Sequence, residues 1–334
     1  MAVPRRLANG GGMGRAGTLA PELPGAALPA TRFETMLEAA GAVLPARFAA
    51  ASRAARAEVA APNAHEAALR DVSAGVAAPF LISYAAWILR DAERRGIGRI
   101  YFLARDGQVL LDLARALAPR LGLDHIDCRY LYASRQAWLR NVADLQATSA
   151  GHWLWWGVWQ GFVAGQTTLA NLKRRLGVPG SDLDAGLAEA GFGPGSDDRP
   201  VAAEDVPRLE DFFRSEAFAA ALAGSRAANR RLLHDYLAQE GLFDPVPSAM
   251  VDIGWAGNLH AALAGMQEAA GAAPAHGYYF GFNAKQLEGR AAQRSRFQYD
   301  FDDPDALARF KPAFKQDLVE IYTEIFCAAD HGTL

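Results

Sequence analysis

A change of hydrophobic period near the end of the first third constrains this chain more than any other feature. Arg99–Ala104 (RIYFLA) is a nearly continuous apolar run rich in β-formers, the pattern of a strand buried on both faces. It stops at Arg105-Asp106-Gly107. Apolar residues then recur at helical spacing, at Val109, Leu110, Leu113 and Leu117, up to Pro119. Arg129–Ala133 (RYLYA) is a second strand-like run, reached through a short turn containing Gly122. Strand–helix–strand spacing of this kind predicts a right-handed parallel crossover. A second such unit follows much later: Ala249–Ile253, a helical pattern over Ala256–Gln267, and Gly277–Phe282.

These two units imply an α/β fold, Rossmann-like, with a mostly parallel sheet and a large helical insertion or cap. The core is expected in 99–135 and 248–334. The insertion is expected in 136–247, with helices over Leu169–Leu176, Leu183–Ala190 and Val206–Leu242. Residues 32–98 read as an N-terminal helical segment, broken at Pro62-Asn63 and ended by Gly96. Residues 1–31 are rich in Gly, Pro and Ala and read as a disordered leader, unable to bury enough surface to offset its ordering entropy. After Phe282 a basic, polar stretch leads to a further expected helix, Asp303 to about Ala328. The chain ends without a clear stop signal, leaving a natural end and a truncation both open.

Composition narrows the function classes. A net charge of −3 over 334 residues, with no long Lys/Arg run, gives no electrostatic reason to expect nucleic acid. Cys128 and Cys327 lie far apart with no Cys/His cluster beside them, which points to reduced thiols in a cytoplasmic protein. Arg5 and Arg6 are not followed by the apolar core of a secretory signal. Val76–Leu89 is too short and too polar at its ends to span a bilayer, so a buried core helix and no integral membrane segment are expected. No two of the seven histidines lie three or four residues apart, which argues against a metal site built on imidazoles alone. Gly-x-Ser-x-Gly and Gly-Lys-Ser/Thr are missing from the sequence, and a Gly-x-Gly-x-x-Gly match at Gly12–Gly17 falls in the Gly-rich leader with no strand-like run before it, so it gives no support for a dinucleotide site.

In an open parallel sheet, ligands bind outside the carboxyl ends of the strands. Three such ends are polar here: Arg105-Asp106-Gly107, Ser134-Arg135-Gln136, and Asp252 to Asn258 (DIGWAGN). If the strands are neighbours, Asp106, Ser134, Arg135 and Asp252 share one site. Two facing carboxylates can hold Mg²⁺ with phosphate as co-ligand. Arg105, Arg135 and Ser134 are natural phosphoryl partners. Gly254 and Gly257 would let backbone N–H groups approach an anion, Trp255 could wall the pocket, and Asn258 completes the loop. Structural alternatives stand beside each. Asp106-Gly107 also suits a turn and helix N-cap, although an Arg105–Asp106 pair at a buried strand end would need a compensating partner. Arg135 could simply pair with an acidic neighbour. The Trp-rich run 152–159 suits packing more than sugar stacking.

The succession GIGRIYFLARDG, YLYASR, VDIGWAG, GYYFGF resembles bacterial hydrolases of the haloacid-dehalogenase (HAD) superfamily that are associated with capsule and lipopolysaccharide biosynthesis and often fused to glycosyltransferases. The resemblance covers roughly residues 75–334 and is most specific at Phe102–Gly107, Tyr130–Arg135 and Val251–Gly257. It implies a HAD-like fold and Mg²⁺-dependent phosphoryl chemistry on a phosphorylated sugar or glycan precursor. Asp106 then matches the acid/base Asp, Ser134 the hydroxyl residue, Asp252 the late acidic residue, and Arg135 the positive charge. Ala104 stands where such enzymes carry their nucleophilic Asp, so turnover would require Asp106 as the nucleophile, with Gln108 then at the acid/base position. A catalytically degenerate partner of a glycosyltransferase, docking through the Trp-rich helical block, is the alternative. A nucleotide-sugar or phosphoribosyl-type transferase is a weaker one.

Overall fold

The structure, a computed structural model, describes residues 28–134, 137–138, 167–176, 178, 180–254, 257–282, 294–300 and 322–331. It divides into two compact units, Met1–Pro79 and Phe80–Leu334. Phe80–Arg94, inside the expected segment 32–98, therefore groups with the sheet. Most of the expected leader and most of the expected helix from Asp303 lie outside the described residues, as does the Trp-rich run; 322–326 are helical.

The first unit holds α1 (Arg32–Ala39), α2 (Val43–Glu58) and α3 (Ala64–Val72), the last passing into a π-helical turn at Ser73–Ala77. Thr31 and Glu34 form a reciprocal capping box at the start of α1. Gly41, at φ 68°, breaks the chain between α1 and α2. The centre of this unit is ionic. The Glu34 and Arg56 side chains are 0% and 3% exposed and meet at 2.9 Å. Ser52 Oγ donates to Glu34 (2.8 Å), and Arg56 Nε donates to Asp71 (2.8 Å). Burial opposes ionisation of Glu34, but the hydrogen bonds from Thr31, Ser52 and Arg56 outweigh it and hold the carboxyl below its ordinary pKa.

In the second unit β1 (Arg99–Leu103), β2 (Asp127–Leu131), β3 (Ser248–Asp252), β4 (His276–Phe282) and β5 (Arg294–Asp300) form one parallel sheet, ordered β2-β1-β3-β4-β5. The α/β, Rossmann-like architecture is thus present. Before β1 runs α4 (Ala78–Arg94), and α5 (Gly107–Leu121) joins β1 to β2. Pro119 costs α5 one backbone donor without ending it; the helix runs to Gly122, whose left-handed φ of 72° stops it. Between β2 and β3 come α6 (Leu169–Leu176), α7 (Gly180–Glu189), α8 (Val206–Arg214) and α9 (Glu216–Gln239). The single helix expected over Val206–Leu242 is two, because Ser215 is extended (ψ 152°) and its side chain accepts the Phe218 N–H to start α9. α10 (Asn258–Ala269) joins β3 to β4.

Strand alternation gives the sheet two apolar faces. Ile100, Phe102, Ala249, Val251, Tyr278 and Phe280 pack with α4 and α5. Tyr101, Leu103, Met250 and Tyr279 pack with α10 and the end of α9. The start of α9 belongs to the separate core of the insertion, through Phe218 and Leu222. This one helix therefore ties the insertion to the sheet. The stretch Ala64–Arg94 is long and apolar enough to cross a membrane by length and composition, and it buries Leu81, Tyr84, Ile88 and Leu89 in the sheet core. β5 falls in what reads from sequence as a basic, polar stretch. Its Arg294, Arg296 and Asp300 are what an edge strand carries, while Phe297 packs against the α4 side.

Polar side chains at the amino end of the sheet are used for tertiary locking. Arg99 donates to Asp127 (3.0 Å), Asp244 (2.7 Å) and the Gly241 carbonyl (2.8 Å). Arg129 donates to Asp127 (2.7 Å) and the Glu240 carbonyl (2.9 Å), and the Tyr101 hydroxyl donates to that same carbonyl. Two guanidinium groups thus meet the carbonyls at the end of α9, where the helix dipole is negative.

Removing one partner of a buried ion pair costs about 3–5 kcal/mol where the other charge is left bare, and less where, as here, Arg56 still pairs with Asp71. Glu34→Ala is expected to loosen the first unit, seen as faster amide exchange across α1–α3. Because the folded pKa of Glu34 is depressed, its contribution is present above the unfolded carboxyl value of about 4.3 and is lost as pH falls through the folded one. The same amides are therefore expected to lose protection on acidification below about pH 4.

Candidate functional site

The chain steps from β1 to β2 on one side and returns to β3 on the other side of β1. Strand order reverses there, and two right-handed crossovers running in opposite directions place α5 and α10 on opposite faces. Neither helix covers the gap between the ends of β1 and β3, where ligands lodge in open α/β sheets. The register Phe102↔Val251 sets Asp252, the last residue of β3, one step further, and Asp106 lies three residues beyond the end of β1. Leu103↔Leu131 brings the end of β2, and hence Ser134, to the other flank of β1. The three polar strand ends are therefore neighbours.

Asp106 occupies the N-cap position of α5 but has helical torsions (φ −72°, ψ −21°) and makes no capping hydrogen bond with its side chain. The N-cap explanation for an Asp here is thereby corrected. Gly107 is needed for a different reason than turn relaxation: a Cβ there would sit 2.6 Å from the Phe102 carbonyl carbon. The strand end and the helix start are pressed together. Arg105 Nε lies 3.5 Å from Asp106, with the two side chains 45% and 20% exposed. Arg105 is thus open to solvent while Asp106 is only part-exposed and its Oδ1 is buried, so the desolvation argument bears on Asp106 and not on Arg105. The Ala104 N–H donates to the Leu131 carbonyl (2.9 Å), and the Ala104–Arg105 peptide is cis.

Ser134 is buried, and its Oγ accepts the Ala137 N–H (3.0 Å). It caps the turn that follows, a structural role that engages the oxygen and not the hydroxyl hydrogen. Asp252 pairs in register with Tyr279 of β4, and its carbonyl accepts the Tyr84 hydroxyl (3.0 Å). Burial first, and the Asp252 charge second, push the Tyr84 and Tyr279 phenols well above their ordinary pKa. Both remain neutral beside the carboxylate at physiological pH.

Gly254 is required by packing, since a Cβ would meet the Gly281 carbonyl oxygen at 2.6 Å. Gly257 has φ 69° and starts α10, whose first residue is Asn258. Arg135 and Trp255 lie outside the described residues, as does the side chain of Asn258. Tyr130, which the sequence-based site does not include, belongs to the same region. Its hydroxyl lies 3.4 Å from the Arg105 carbonyl. Burial, then the neighbouring Tyr132, Asp106 and Asp330, push its pKa up to about 12. In the sequence it is marked by its two-residue spacing from Tyr132 at a strand end and by its place at the start of the YLYASR segment.

No known family model matches this chain, and no curated protein matches it in sequence.

Gly107→Ala is expected to destabilise the second unit by about 1–3 kcal/mol, because the atom it meets is backbone and cannot swing away. Gly193→Ala, which meets nothing within 4 Å, is the control and is expected to stay within about 0.5 kcal/mol. Urea denaturation of both variants tests this.

Proposed function

We propose that the chain binds a phosphorylated ligand at the carboxyl ends of β1, β2 and β3. The strand order carries this reading: β1 and β3 are neighbours, so Asp106 and Asp252 end adjacent strands where that order reverses. In line with the HAD resemblance, the ligand is a phosphorylated sugar or glycan precursor of cell-surface polysaccharide synthesis.

Asp106 and Asp252 are the residues that would hold Mg²⁺. Among the described residues no group of three or more His, Cys, Asp or Glu is placed to cage a metal. A pair of carboxylates nevertheless suits Mg²⁺, which keeps water and phosphate as its remaining ligands. Bound there, the ion would neutralise phosphoryl charge. The Ser134 hydroxyl and the Arg105 guanidinium supply hydrogen-bond donors to the phosphoryl oxygens, and Tyr84 and Tyr279 hold the end of β3 in place.

A hydrolase working here would use Asp106 as nucleophile, since Ala104 offers only a methyl group. That same residue favours a second reading, binding without turnover as a partner of a glycosyltransferase.

With Mg²⁺ and glucose 1-phosphate as probe, unfolding stability is expected to rise by roughly 2.7 kcal/mol at 100 times the dissociation constant. Asp106→Asn and Asp252→Asn are each expected to abolish the rise, and so is EDTA. Absence of stabilisation by any sugar phosphate would remove the proposal. Release of inorganic phosphate separates hydrolysis from binding alone.

A further inference from the structure

A stretch more than 200 residues away in sequence closes around the end of β1. Cys327 is fully buried in the core on the α4–α5 face and anchors the stretch. The Asp330 N–H donates to Gln108 Oε1 (3.2 Å), in the first turn of α5, two residues after Asp106. His331 Nε2 lies 2.8 Å from the Tyr130 hydroxyl, which itself lies 3.4 Å from the Arg105 carbonyl. From Arg105 through Tyr130, His331 and Asp330 to Gln108, these contacts form a loop around the turn that carries Asp106.

The imidazole is held by rings as well as by a hydrogen bond. Its centroid is 5.7 Å from those of both Tyr130 and Tyr132, which are 5.2 Å apart and nearly perpendicular. Three mutually packed rings fix an orientation that a single hydrogen bond would not. Tyr132 is nonetheless 46% exposed, so this cluster reaches the surface. The Tyr130 phenol keeps its proton at neutral pH, burial being the main cause. The Tyr130 hydroxyl thus links the imidazole to the Arg105 carbonyl, to which it donates.

We propose that His331 is a ligand-contacting residue of this site, its imidazole hydrogen-bonded to the oxygens of the phosphorylated ligand and carried over the end of β1 by Cys327–Asp330. This rests on the phosphoryl-binding reading above and adds a wall to it. The bound anion then meets side chains from both ends of the unit: Arg105 and Ser134 from the strand ends, His331 from the strap. Tyr130 and Gln108 are positioning residues that act through it.

The test uses the full chain, inorganic phosphate with Mg²⁺ as probe, and two readouts. Calorimetric titration is expected to show phosphate binding about tenfold weaker in His331→Ala, as for the loss of one charge-assisted hydrogen bond. Tyr130→Phe is expected to weaken it less. In the wild-type chain labelled with ¹⁵N-histidine, phosphate is expected to shift the His331 imidazole nitrogens, which a purely packing role would not. The wild-type spectrum decides the matter even where His331→Ala fails to fold. Wild-type binding lost in Asp252→Asn, with unchanged affinity in His331→Ala and unmoved imidazole signals, would overturn this assignment and leave the strand-end site intact. No phosphate binding by the wild-type chain would overturn both.

Discussion

Adjacency of β1 and β3 is the constraint on which the rest of this unit depends. A parallel pair cannot be joined by a hairpin, so each step across the sheet needs a crossover helix, and chirality makes each crossover right-handed. Steps taken in opposite directions from the middle of the sheet send α5 and α10 to opposite faces. The gap between β1 and β3 at their carboxyl ends is a consequence of that geometry. It exists before any side chain is considered, and it makes the residues that end these two strands the natural lining of a site.

The two ends of the sheet use polar residues differently. At the amino end, Arg99, Arg129, Tyr101 and Asp127 fasten the end of α9 to β1 and β2. Asp91 of α4 likewise accepts the Tyr278 hydroxyl and the Arg95 guanidinium. These groups hold layers together across long sequence separations. At the carboxyl end, Asp106 leaves its helix uncapped, and Asp252 stands beside two buried neutral phenols.

Much of this was legible in the sequence. Ile100–Leu103 is apolar without alternation because it is covered on both faces, and the shift to helical spacing at Val109 is unambiguous in a helix whose buried stripe includes Leu110, Leu111 and Ala114. Asp252 stood out because a carboxylate in an apolar strand has little to do structurally. β5 was hidden because an edge strand shares the charged composition of a loop. The break at Ser215 was hidden because serine is tolerated both within and at the ends of helices. Asp106 looked like a cap because Asp-Gly before a helix commonly is one; its backbone torsions decide otherwise. Tyr130 and His331 had no shared local signal, being 201 residues apart.

The sequence by itself determined the parallel α/β class, the strand–helix–strand units and the polar character of three strand ends, because periodicity and residue type are local properties. Only the tertiary structure decided that those ends are neighbours, that Arg105 is exposed while Asp106 is only partly so, that Gly107 and Gly254 answer to close backbone approaches, and that a distant segment closes over β1. Strand order, burial and contact across the sheet depend on how separated segments meet. No window of residues contains that information.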